Sequence, residues 1–190
     1  MTEKLSLVQK LAYSVGHFYN DACASMWFTY LLLFYTRVIG FSSVAAANLL
    51  LIGQIVDGVA TPLVGLVSDK LNGFFCYTKR KSWHLLGTVL VTVSFAFVFR
   101  EPVFDVGLPT DASMFAYYVP FIAIFQIGWA TVQINHLSLI PELTNDDKTK
   151  ITLNSWRFGF LILANIFIYI FIPLFLKVEI EVFYTNTCRF

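Results

Sequence analysis

Apolar residues in this chain come in long unbroken runs rather than in the half-polar rhythm of a surface helix. The runs lie near Leu11 to Thr36, Val44 to Val67, Trp83 to Phe99, Met114 to Ile140 and Thr152 to Leu176. A helix crosses about 30 Å of hydrocarbon with roughly 17 to 25 such residues, so each run is read as a membrane span. The first is read as a retained span rather than a secretory signal, because its apolar segment is too long and no small-residue cleavage site follows it. No Gly/Ser linker or low-complexity tract interrupts the pattern. The prediction is an all-α polytopic helix bundle over residues 1–176, with "KVEIEVFYTNTCRF" as a tail over 177–190. Pro102 and Pro109 stop helices around the fourth span's approach, and Asn145 or Asp146 in "TNDDK" is expected to cap the fifth span.

Polar residues inside the runs fall on single helix faces. In the second span Gln54, Asp57, Thr61 and Gly65 follow one another at three, four and four; in the first, His17, Asp21 and Ser25 repeat every four. The fourth aligns Gln126, Trp129, Gln133 and His136, and the fifth aligns Asn154, Arg157 and Asn165. The third is almost wholly aliphatic and aromatic after His84, so it is expected to pack on the outside. At 1.5 Å per residue, Asp21 and Asp57 lie about 15 Å, and Gln133 and Arg157 about 10 Å, from the same ends of their spans. An ionisable group at mid-membrane costs on the order of 3 kcal/mol and is kept for a cavity or a partner, which makes Asp21 or Asp57 with Arg157 the expected pairing. Gln126, Gln133 and Asn154 join helices unless a solute is present, and His17 and His136 read more readily as interior histidines than as proton carriers. Gly53, Gly58 and Gly65 are expected to admit close helix approach.

Composition agrees with this: 57% hydrophobic residues, 13% charged, 20 Phe and a mean hydropathy of +0.70 are too apolar for one soluble domain of 190 residues. The net charge of +1 adds nothing about partners, and no nucleic-acid partner is expected. Lys4, Lys10, Lys70, Lys79, Arg80, Lys81, Lys148 and Lys150 fall on one side of the predicted bundle and Arg37, Arg100, Lys177 and Arg189 on the other. The richer side is expected to be cytoplasmic, with the tail lumenal or extracellular. Cys23, Cys76 and Cys188 are too scattered for a disulfide framework, and Asn186-Thr187-Cys188 is at best a rare variant of a glycosylation acceptor. No nucleophile and base, metal-ligand spacing or phosphate loop argues for an enzyme.

"GLVSDKLNGFFCYTKRK", with Gly65, Asp69, Lys70, Gly73 and Lys79 to Lys81, resembles the loop between the second and third spans of the major facilitator superfamily, with a longer gap before the basic cluster. "YNDACASMWFTYLLLFYTRVIGFS", "QIVDGVATP" and "SLIPELTNDDKTKITLNSWRFGF" resemble its glycoside-pentoside-hexuronide:cation symporter branch, and the likeness runs from Leu11 to Asn165. The resemblance implies a secondary transporter without cofactors, with Asp21 as a substrate-binding carboxylate and Asp57 as a coupling-cation carboxylate. It also places Arg157 in the cavity and makes Gly65, Asp69, Lys79 and Arg80 a conformational motif.

Thr61 stands where the sugar symporters have a second carboxylate, and Gln133 and Leu137 where they have Asp and Trp. These departures argue against a sugar, and they favour a proton over sodium because a hard cation needs several oxygen ligands. Animal members of the branch, which the chain resembles most, imply cysteine as the solute and a lysosomal or melanosomal membrane; the plasma membrane is the alternative. Glu3 with Leu7-Val8 is a near miss to an acidic dileucine signal. The superfamily has two six-helix halves, so five spans read as part of an amino-terminal half whose partners are lipid, a small solute and a missing second half or full-length relative. The rival expectation is a short membrane protein that transports nothing.

Overall fold

The computed structural model describes residues 5–73, 77–102 and 111–187, with side chains as far as Phe175. Glu3, Lys4, Cys76, Pro109, Cys188 and Arg189 lie outside the described residues, as do the side chains of the tail. The described chain is helical without strands: α1 Leu7–Val15, α2 Phe18–Arg37, α3 Ser43–Lys70, α4 Lys79–Val98, α5 Asp111–Leu143 and α6 Asp147–Thr187. Among them Ser43–Lys70, Lys79–Val98, Ala112–Leu143 and Asp147–Phe175 are long and apolar enough to cross a membrane.

Two boundaries differ from the sequence expectation. The first run is two helices, α1 and α2, parted at Gly16 and His17, and α2 is not apolar enough to count as a span by composition. Asn20, Asp21 and Ser25 lower its hydropathy, yet all three are buried, so α2 carries a polar stripe turned inward. The segment expected as a tail continues the α6 backbone to Thr187.

Local chemistry sets the helix starts. Ser6 and Gln9 form a reciprocal capping box on α1, with Gln9 N–H donating to Ser6 Oγ (3.2 Å) and Ser6 N–H to Gln9 Oε1 (2.8 Å). Ser42 Oγ accepts from Ala45 N–H at 3.1 Å to cap α3. Asp146, rather than Asn145, caps α6: its Oδ2 accepts from Thr149 N–H (2.9 Å) and Thr149 O–H (2.7 Å). The turn from α2 to α3 passes through Gly40 at φ 83°, a left-handed conformation that glycine adopts without strain.

Packing divides the bundle. α3, α4 and α5 form one block, and α6 lies against α1 and α2 with little contact to α5. The closest crossing joins α4 to α5: a Cβ on Gly87 would lie 2.8 Å from Val132 N, and one on Gly128 would lie 3.0 Å from Val91 N. Two backbones approach there because neither glycine has a side chain, the usual device for packing where lipid removes the hydrophobic drive. α4 buries Gly87, Val91, Ser94 and Val98 toward the block and turns Leu85, Val89 and Val93 outward.

α2 fits over the block through aromatic contact. Trp27 stacks on Phe125 with centroids 5.2 Å apart, over Gly53, whose absent Cβ would lie 2.6 Å from the indole. Tyr35 and Tyr118 are fully buried, and their hydroxyls donate to the Val98 carbonyl (3.3 Å) and the Arg100 carbonyl (2.9 Å). Gly53 thus admits close approach as expected, whereas Gly58 and Gly65 have nothing within 4 Å of a Cβ position. Those two glycines lie on the face of α3 that no described helix covers.

Candidate functional site

A cavity of about 420 Å³ opens between the first half of α2, the middle of α5 and α6. Asp21 and Ser25 reach it from α2, Trp129 and Gln133 from α5, and Arg157 and Asn165 from α6. Three residues chosen from the sequence, Asp21, Gln133 and Arg157, therefore line one cavity although they come from three helices. Spacing explains part of the result: Ser25, Trp129 and Asn165 accompany these three into the cavity, whereas Gln126, His136 and Asn154 of the same stripes do not line it.

Asp21 is buried and its Oδ1 lies 2.9 Å from His17 Nδ1, one helical turn earlier. Asn20 Nδ2 lies 3.3 Å from His17 Nε2, an arrangement that suits an Nδ1–H tautomer donating to Asp21 when the imidazole is neutral. Asp21 also sits in the first turn of α2, where the partial positive charge of the helix start favours a carboxylate. The expected pairing with Arg157 is not formed: among the described residues neither Asp21 nor Asp57 makes an ion pair with it. Arg157 Nε–H instead meets Asn154 Oδ1 at 3.5 Å, on its own helix. Local partners three and four residues away are held by the helix itself, and they win over a partner across open space. The guanidinium remains half-buried at the cavity wall.

Other expected site residues lie elsewhere. Gln126 is fully buried beside Trp27 and Gly53, where its amide oxygen and nitrogen both lack partners. Asn154 is exposed beside Arg157 rather than in the cavity wall. Asp57 accepts from Thr61 O–H at 3.2 Å on the uncovered face of α3, away from this cavity. Pro62 lacks the N–H that would bond the Gly58 carbonyl, so this stretch of α3 offers a carboxylate, a hydroxyl and a free carbonyl together.

The conformational motif is assembled at the basic end of the bundle. Arg80 Nη2 pairs with Asp69 Oδ1 at 2.7 Å, its Nη1 lies 3.4 Å from Ser68 Oγ, and its Nε lies 3.5 Å from Glu142 Oε1. One guanidinium thus ties the ends of α3 and α5 to the start of α4. Lys79 Nζ donates to the Asp69 carbonyl, closing the end of α3. Gly65 takes part only through its carbonyl, which accepts from Ser68 O–H at 3.2 Å. Glu142 was not foreseen from the sequence.

Also unforeseen is that all three histidines of the chain meet. The His136 ring lies 5.1 Å from His17 and 5.5 Å from His84, centroid to centroid, and stacks on Tyr13 at 4.4 Å. His84, the one ionisable residue in the run from Trp83 to Phe99, was the available signal.

The described chain is a bundle of apolar helices with a polar cavity between α2, α5 and α6 and an arginine clamp at one end, the architecture of a multi-span membrane protein. Residues 12–187 match the family described as MFS/sugar transport protein, and the chain belongs to that family of the major facilitator superfamily. It is 52% identical over 167 residues to major facilitator superfamily domain-containing protein 12 of Homo sapiens, covering 87% of this chain and 35% of the relative. An uncharacterized symporter of Synechocystis is 34% identical over 165 residues, covering 86% of this chain and 30% of the relative. The isoprimeverose transporter of Lactiplantibacillus pentosus is 27% identical over 149 residues. The chain spans about a third of the length of these relatives.

Proposed function

We propose that the chain forms the substrate-facing part of a proton-coupled secondary transporter for a small polar solute, working with a second half that closes over the uncovered faces of α3 and α6. The observation that carries this reading is the cavity lined by Asp21 from α2, Gln133 from α5 and Arg157 from α6, with no ion pair between the two charges. Two fixed charges of opposite sign that do not neutralise each other suit a zwitterion: the carboxylate takes its ammonium group and the guanidinium its carboxylate. An amino acid has this pattern and a sugar has not. Cysteine is the solute proposed here, in a lysosomal or melanosomal membrane, on the strength of the sequence resemblance alone. Asp57 with Thr61 is the coupling site, where one carboxyl and one hydroxyl suit a proton better than sodium.

The test is uptake of labelled cysteine by the full-length carrier in liposomes. Saturable uptake should fall about tenfold or more in Arg157→Gln, a loss of about 1.4 kcal/mol in solute binding. Asp57→Asn should remove the response to an imposed pH gradient while solute exchange continues. Gradient-driven accumulation unchanged by that substitution removes Asp57 from the mechanism.

A further inference from the structure

We propose that His17, His136 and His84 form a proton path that joins the Asp21 cavity to a separate pocket at the basic end of the bundle. This inference rests on the transport reading above and adds a second proton-handling site to it.

Two cavities flank the histidines. His17 lines the Asp21 cavity, while His84 and His136 line a second space of about 420 Å³ with Gln9, Tyr13 and Lys81. His17 and His136 are 1% and 2% exposed, so the rings form the wall between the two spaces. The order is continuous: Asp21 touches His17 at 2.9 Å, His17 lies 5.1 Å from His136, and His136 lies 5.5 Å from His84. Ring centroids at such separations bring edge nitrogens within reach after rotation, directly or through one water.

Unused hydrogen-bonding capacity falls along the same line. Nε2 of His136, Nε2 of His84, Oδ1 of Asn20 and Oδ2 of Asp21 are buried without partners. A buried polar atom normally finds a partner, so four orphans on one line mark a place where bonds are made and broken rather than held. Asn20 shows how. Its Nδ2 donates to a neutral His17, and turning the amide presents the orphaned Oδ1 to a protonated Nε2–H.

Transfer conserves protons and charge at each ring. With the Asn20 amide turned, neutral His17 carries its proton on Nε2; Asp21 then gives a proton to Nδ1, the ring releases the one on Nε2, His136 accepts one and releases one, and His84 delivers a proton to the second pocket. The reverse sequence loads Asp21. The titratable and charged groups that face His136 are Tyr13 from α1, His17 from α2, His84 and Lys81 from α4, and Arg157 from α6, with Asp21 bonded to His17.

The experiment uses the full-length carrier in liposomes with labelled cysteine, followed as equal-concentration exchange and as accumulation driven by a pH gradient. Exchange needs no net proton movement. His136→Gln and, separately, the less buried His84→Gln should keep exchange within about twofold of the parent and cut accumulation about tenfold or more. Retained exchange shows that the variants are folded. Accumulation at the parent level in both variants overturns the path, and if Asp57→Asn still abolishes it, proton coupling itself stands. A parent that exchanges cysteine but ignores the gradient overturns both. If the parent moves no cysteine, the readout becomes the side-chain 15N titration of His17: a curve shifted by His136→Gln supports the path, and an unchanged curve overturns it.

Discussion

The two sides of α2 obey different rules. Toward its carboxyl end, Trp27, Leu31 and Tyr35 are fully buried against α3, α4 and α5, and the Tyr35 hydroxyl ends on a backbone carbonyl. Toward its amino end, Asn20, Asp21 and Ser25 are buried as well, yet each keeps a side-chain oxygen without a partner. Burial is similar and the orphans differ in kind: the amino end leaves an oxygen on each of three residues, while the carboxyl end leaves the Trp27 Nε1–H. An orphaned buried polar group costs about 1–3 kcal/mol, so the amino-terminal side gives up stability that the aromatic side supplies. One helix thus serves as packing at one end and as chemistry at the other.

The largest effect should come from the packed side. Trp27→Ala removes the indole that stacks on Phe125 and covers Gly53, and thermal unfolding in detergent should show a loss of about 3–5 kcal/mol. A loss below about 1 kcal/mol would mean the aromatic side is not the stabilising one. Gly128→Val comes next: its Cβ would press on the α4 backbone, and overpacking there should cost about 1–3 kcal/mol by the same measurement.

The polar side should answer in the opposite way. Asp21→Asn and Arg157→Gln should each change stability by about 0.5 kcal/mol or less while reducing transport. Because the two charges make no ion pair, the double variant should be additive within about 0.5 kcal/mol in a double-mutant cycle. A coupling well beyond that would show that they meet after all and would weaken the contrast between the two sides.

The sequence made much of this legible and hid the rest for physical reasons. Helical spacing brought His17, Asp21 and Ser25 to one face, and rise per residue put Gln133 and Arg157 at one level, because both are properties of a single helix. The break at Gly16 was hidden, since a glycine and a histidine do not interrupt an apolar run. Partners of charged groups were hidden too: the choice of Asn154 over Asp21 for Arg157 depends on how far α6 stands from α2, which no periodicity contains. His84 was read with an outer span, and the Leu85, Val89 and Val93 face of α4 does turn outward, but the second turn of α4 sets His84 against His136. Gly58 and Gly65 misled because glycine marks close approach only where another helix is present.

The smallest effect tests whether the contrast is confined to the membrane interior. Asp146 is exposed at the start of α6, and hydrogen bonds from the Thr149 hydroxyl and backbone hold its carboxyl below the usual carboxylate range. A folded-state pKa below the unfolded value means that the unfolded chain binds more protons through the window, so stability rises with pH there. The contribution is complete above the ordinary Asp value near 4 and is lost as pH falls through the depressed folded value. Asp146→Ala should therefore lower Tm at neutral pH and converge with the parent under acid. A difference that persists unchanged below about pH 3 would show that the cap acts through something other than its charged carboxylate.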